Sequence, residues 1–205
     1  FTRTSFPPFG DLATSNISDP RSLLYNPMGV EGYFPSFSPN SRYLAAGSSG
    51  RIVLRSSETG EEFNSLTLPP MTVGGVPDWS WRGDRIVGVV GPTGLMNIIP
   101  NEGINMGSIY EWVQQSGERG LPGSDPSEWG EPQLLVAPMG DLSNDRPAYD
   151  PTGQLIAFNT EGDDPTAGEG RGNSNVALWV IPVGQPSPTP IALARANKAD
   201  MQGNS

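Results

Sequence analysis

The chain has 205 residues, no cysteine, no histidine and a formal net charge of −10. Those absences exclude ordinary zinc sites, thiol catalysis, c-type haem attachment and a Ser-His-Asp triad within the chain. The acidic balance disfavours nucleic acid and anionic lipid surfaces, which attract basic faces, and no stretch approaches the roughly 20 apolar residues of a membrane span.

Gly (26) and Pro (22) bring the composition near that of disordered segments. Two features argue for a folded chain. The apolar residues fall in short runs, and five Trp, five Tyr and seven Phe supply core material. Short apolar runs punctuated by Gly and Pro predict an all-β, turn-rich fold. The opening Phe1-Thr2-Arg3 has no signal-peptide core, so the expectation is a removed leader or a fragment of a longer chain.

In chain order, residues 1–20 read as an irregular N-terminal arm and residues 21–205 as one repetitive domain. Ser22–Pro35 has the look of a closing strand and linker. Three twelve-residue segments then align without a gap. They open Pro35-Ser-Phe-Ser-Pro39, Pro77-Asp-Trp-Ser-Trp81 and Pro147-Ala-Tyr-Asp-Pro151. Each has an aromatic two residues after its first Pro (Phe37, Trp79, Tyr149), then a turn, then an aliphatic at a common offset (Leu44, Ile86, Ile156). The pattern predicts a short strand with an inward aromatic, a reversal, and a second strand of small and β-branched residues. The first Pro is expected at the start of its strand, where its missing N–H costs little.

Third strands are predicted at Arg51–Arg55, Ile109–Gln114 and Val176–Ile181. Fourth strands are predicted at Glu62–Leu68, Pro132–Ala137 and Thr189–Ala194. Four antiparallel strands in this order make a propeller blade, with blades at about 35–68, 77–137 and 147–194. The step from Pro35 to Pro77 is 42 residues and from Pro77 to Pro147 it is 70, so the second blade carries an insertion. Long loops are expected at about 92–107, 117–131 and 160–175; loops of this length are functional or disordered.

The opening segment resembles the PD40 repeat of TolB-like β-propellers, Pro-x-aromatic-Ser-Pro-x-Gly followed by an aliphatic strand. Pro35–Pro39 matches it well, Trp81 replaces the second Pro, and Asp150 replaces Ser. The resemblance covers about residues 22–205, loops excepted. It implies an all-β fold with three four-stranded blades, half of a six-bladed ring. Three blades do not close a ring, so the resemblance also implies a partner: another protein chain or the missing part of the same propeller. PD40 repeats occur in TolB-like proteins, in the propeller domains of some serine peptidases and in lyases, so they identify architecture. The function read from this is a non-catalytic module for protein binding or assembly in a secreted or periplasmic complex. The alternatives are the non-catalytic half of a hydrolase or lyase, and a structural subunit of a surface assembly. Oligogalacturonate lyases bind their metal largely through His, which this chain lacks.

Two further features are candidates for a site. In the acidic loop after Thr160, Asp163, Asp164 and Glu169 offer oxygen ligands suited to Ca²⁺, against the alternative of a solvated loop; no other cofactor is expected. Of the tryptophans, Trp79, Trp112 and Trp179 fall on predicted strands and are expected in the core. Trp81 is expected at the rim, and Trp129, within the insertion, is the expected partner contact.

Overall fold

The computed structural model describes residues 2–4, 10–16, 19–25, 32–93, 98–99, 103–104, 106–115, 128–138, 143–161 and 177–193. Strands β1 (Thr2–Thr4), β2 (Gly10–Asn16) and β3 (Asp19–Tyr25) form an antiparallel sheet. The region expected to be an irregular arm is therefore partly sheet, and its β1 and β2 lie beside the first strand of the next sheet.

Blade 1 comprises β4 (Tyr33–Phe37), β5 (Tyr43–Ser48), β6 (Arg51–Ser56) and β7 (Glu62–Ser65), in that spatial order. Blade 2 begins with β8 (Thr72–Trp79) and β9 (Arg85–Pro92). A small hairpin, β10 (Ile98–Ile99) and β11 (Gly103–Ile104), then intervenes where an unbroken loop 92–107 was expected. Blade 2 is completed by β12 (Ser108–Val113) and β13 (Gln133–Val136). Blade 3 comprises β14 (Ser143–Tyr149), β15 (Leu155–Glu161), β16 (Ala177–Pro182) and β17 (Ile191–Ala192). Among the described residues no helix is long and apolar enough to cross a membrane.

The composition of these strands follows from how they stack. Sheets covered on both faces show continuous apolar runs instead of alternation. Leu44–Ser48 of β5 and Ile52–Arg55 of β6 are buried at every position. One apolar core joins Ala45, Ile52, Leu54 and Leu66 of blade 1 to Trp79, Ile86 and Trp112 of blade 2. A second joins Val87, Val89 and Ile109 of blade 2 to Ile156, Phe158 and Ile181 of blade 3. The aromatic expected to point inward does so at Trp79 and, half-buried, at Tyr149. Phe37 is 48% exposed.

The first Pro of each repeat lies inside its strand, not at its start. Pairing runs Tyr33↔Gly47 and then Ser36↔Ala45, so Phe34 and Pro35 oppose one residue. The same slip occurs between Gly75 and Asp78 and between Asp145 and Ala148. These are β-bulges on inner, edge strands, one of the few places a sheet tolerates Pro. The residue before each Pro takes a left-handed backbone: Phe34 at φ 49°, Val76 at 50° and Arg146 at 48°. Such conformations cost about 1–3 kcal/mol apiece, and the stacking of the blades holds all three.

The opening turns share one geometry. Ser38, Ser80 and Asp150 donate their N–H to the carbonyls of Tyr43, Arg85 and Leu155, each at 3.0 Å. The N–H groups of those three partners return to Ser38 Oγ (3.1 Å), Ser80 Oγ (3.2 Å) and Asp150 Oδ1 (2.8 Å). A short side chain with an acceptor oxygen is what the turn requires, so Asp replaces Ser without loss. The third turn residue is left-handed in every blade: Ser41 (φ 59°), Gly83 (74°) and Gly153 (68°). Only Ser41 bears a side chain there. Ser41→Gly relieves that strain against the extra freedom of glycine in the unfolded chain, and should raise stability by about 0.5–1 kcal/mol. A urea titration comparing midpoints at constant slope reads the difference.

Candidate functional site

The blades are joined by a repeated polar contact near the inner strands. Ser36 Oγ donates to Asp78 Oδ1 (2.8 Å) and accepts the N–H of Trp79 (3.2 Å). Asp78 Oδ2 in turn accepts the N–H of Tyr149 (2.8 Å). Ser36 and Asp78 each follow the first Pro of a repeat, and each supplies an acceptor to the inner strand of the next blade. The corresponding residue of blade 3 is Ala148, which has no acceptor to offer.

A second polar contact lies deeper between blades 2 and 3. Glu111, 1% exposed, accepts from Arg85 Nη1 at 2.6 Å and from the Tyr149 hydroxyl at 2.9 Å. Burial, and then the negative charge of Glu111, holds the Tyr149 hydroxyl well above its ordinary value. Tyr149 is thus a fixed donor at neutral pH. Its contribution to stability is present below the ordinary tyrosine range and is lost only as pH rises through the higher folded value.

Blade 3 has one covered and one open face. Ala45 and Val87 are fully buried at the tenth position after the first Pro of blades 1 and 2, whereas Ala157, at the same position, is exposed. Ala148, Ala157, Val180 and Ile191 stand opposite one another across the four strands and so share that face. Leu178 and Leu155 extend it, and Ile191 is 60% exposed. The positions that bury the forward faces of blades 1 and 2 therefore form an apolar surface on blade 3.

A groove of about 570 Å³ runs between the opening turns of blades 2 and 3, lined among others by Trp81, Arg82, Arg85, Gln154 and Val183. Trp81 is half exposed, and its Nε1–H donates to the Thr152 carbonyl at 2.8 Å. The Arg82 guanidinium lies 5.1 Å from the centre of the Trp81 ring. In the opening turn of blade 3, Asp150 is held down at about 2 from an ordinary 3.8, first by the Thr152 hydroxyl and then by the N–H of Leu155.

The predicted site residues divide as follows. Asp163, Asp164 and Glu169 lie outside the described residues, as does most of the loop that carries them. Trp129 is not at the surface. It is 6% exposed, bridges to Gln114 and meets Trp79 edge-on at 5.6 Å. The end of the insertion turns back onto blade 2, so an aromatic expected to meet a partner fills the core between blades 1 and 2. Trp79 and Trp112 are buried and Trp179 is half-buried. Trp81 stands at the rim. Asp78, Glu111 and Arg82 went unnoticed in the sequence. The first shares a repeat position with Ser36, and the last adjoins the Trp that breaks the repeat; Glu111 had no such signal.

Three four-stranded antiparallel sheets, stacked face to face with their first strands innermost, define the chain as β-propeller blades. The fold is similar to that of TolB from Acinetobacter baumannii, with a TM-score of 0.54 at 14% identity over 92% of this chain and 39% of that one. A putative TolB from Agrobacterium tumefaciens aligns at 17% identity over 83% of this chain and 65% of that chain (TM-score 0.32). Hydrazine synthase from Kuenenia stuttgartiensis aligns at 12% identity over 80% of this chain and 54% of that chain (TM-score 0.34). The chain spans less than two thirds of the length of each of these proteins. No family model and no curated protein sequence matches it.

Two measurements test the joint at Glu111 and the turn at Asp150. Tyr149→Phe removes a donor from a buried carboxylate and should cost about 1–3 kcal/mol of unfolding free energy in urea. At Asp150 the depressed folded value means that its stabilisation is complete above about pH 4 and drains away as pH falls toward 2. Asparagine keeps an acceptor that does not titrate. The gap in urea midpoint between the wild type and Asp150→Asn should therefore be widest above pH 4 and shrink on acidification.

Proposed function

We propose that the chain is a non-catalytic propeller module that binds protein, as part of a secreted or periplasmic assembly. The observation that carries this reading is the open face of blade 3. Ala148, Leu155, Ala157, Leu178, Val180 and Ile191 form one continuous apolar sheet surface. Contiguous apolar surface of this kind marks an interaction site. Its residues occupy the register that the forward faces of blades 1 and 2 use to bury their neighbours, so its natural complement is another β-sheet with an aliphatic and aromatic face. That sheet belongs either to another chain or to a further part of a propeller. Placement outside the cytoplasm is supported by the resemblance of the opening repeats to those of TolB-like proteins.

The absence of cysteine permits a direct test. A single thiol placed by Leu178→Cys in the natively assembled protein should react with a maleimide more slowly, by at least about ten-fold, than one placed at the exposed Gln185. Leu178→Asp combined with Ile191→Asp should release the partner, read as a loss of mass in light scattering. Equal thiol reactivity at the two positions, with no mass beyond that of the chain, would overturn the reading.

A further inference from the structure

Trp81 stands where Pro39 and Pro151 stand in the other two opening turns. The turn does not require it. All three turns close with the same 3.0 Å backbone hydrogen bond, and proline, its φ preset, suits the position. Tryptophan there leaves half of a large apolar ring in water, an arrangement that folding does not reward. Yet the ring is firmly held. The Thr152 carbonyl accepts its N–H at 2.8 Å, and Gly153 makes room beneath it: a Cβ at Gly153 would lie 2.6 Å from the ring's Cδ1. A turn of blade 3 is thus shaped to fix an exposed tryptophan of blade 2.

The charge beside the ring is also uncommitted. Arg51 and Arg55 pair with Glu62, Arg85 with Glu111 and Arg146 with Asp145. Arg82 has no carboxylate partner among the described residues and lies over Trp81. Asp84 also lines the groove, and its carboxylate accepts the Ser80 hydroxyl at 3.0 Å. The other exposed polar side chains of the lining are Thr152, whose hydroxyl donates to Asp150, and Gln154. A guanidinium recognises a carboxylate through paired hydrogen bonds, a fixed indole face takes an apolar side chain, and Trp and Arg are the residue types that dominate protein contacts. The groove is open to solvent and its lining is more polar than apolar, which suits an extended segment with polar groups and not an enclosed small molecule.

We infer that the groove between the opening turns of blades 2 and 3 binds an extended peptide segment of a partner protein, with an acidic side chain on Arg82 and an apolar one on Trp81. This site rests on the protein-binding reading above and is separate from the face of blade 3. Because the chain itself is strongly acidic, the attraction is local to Arg82 and weakens as salt rises.

The test uses the full chain and a fluorescent pool of N-acetylated, C-amidated octapeptides alternating Asp or Glu with Leu or Phe. A matched pool carries Asn or Gln in place of the acids. Fluorescence anisotropy should show the acidic pool binding at least about ten-fold tighter than the amide pool. Trp81→Pro, which restores the residue of the other turns, and Arg82→Gln should each weaken the acidic pool by a similar factor, with thermal midpoints unchanged. No binding of either pool, equal binding of the two, or wild-type binding by both variants overturns the inference. Should Trp81→Pro melt early, Arg82→Gln decides alone, since its side chain is exposed and makes no ion pair among the described residues. A natural partner held equally by wild type and both variants, with no peptide binding, removes the groove and leaves the protein-binding reading in place. Peptide binding that persists in the Leu178→Asp, Ile191→Asp variant shows that the two surfaces are independent.

Discussion

A four-stranded sheet that is apolar on both faces cannot stand alone in water, and every blade of this chain is such a sheet. Blade 1 buries Ala45, Ile52 and Leu54 on one side and Leu44, Ala46 and Val53 on the other. Two cores result, each lying between consecutive blades and neither inside one. The joints are therefore the structure's source of stability. The inner strands have to approach closely for the joints to form. That requirement accounts for the bulge before each Pro, where Phe34, Val76 and Arg146 are held in left-handed backbone that none of them would adopt freely.

Apolar stacking by itself lets sheets slide, and polar contacts set the register. Ser36 and Asp78 pass a hydrogen bond from blade to blade along the inner strands. Glu111 adds a buried charge that is tolerated because Arg85 and Tyr149 both reach it. A buried carboxylate with a missing partner is costly, so this joint accepts one alignment and rejects its neighbours. Blade 3 has no acceptor in the corresponding place, since Ala148 follows its first Pro. A sheet placed against its open face would be held by apolar contact and shape, without that anchor.

The two surfaces assigned to binding differ in origin. The open face of blade 3 uses residues that any blade needs, and only its exposure makes it the proposed contact surface. The groove at Trp81 owes its character to a side chain that its turn does not need. An exposed indole fixed by Thr152 and Gly153, with a guanidinium over it, stands where both other turns keep proline. Local departures of this kind are where function is expected to overrule folding.

Much of the fold was legible along the chain. The spacing of Pro35, Pro77 and Pro147, the aromatic two residues on and the aliphatic beyond the turn mark three equivalent units, because a turn and a strand pair are specified by neighbours in sequence. The acceptor role of Ser38, Ser80 and Asp150 is equally local. What the spacing did not reveal is everything that depends on contact between distant strands or blades. The bulges that place Pro inside a strand, the packing of Trp129 on Trp79 and the pairing of Glu111 with Arg85 arise within blades from strands far apart in sequence, and the bond from Tyr149 to Glu111 arises only when blades 2 and 3 stack. Of the three-stranded sheet, only a closing strand from Ser22, overlapping β3, was legible; β1 and β2 carry no repeat motif. A one-residue change of register moves a side chain from one face to the other, and stacking, which chooses the register, joins residues that lie tens of positions apart.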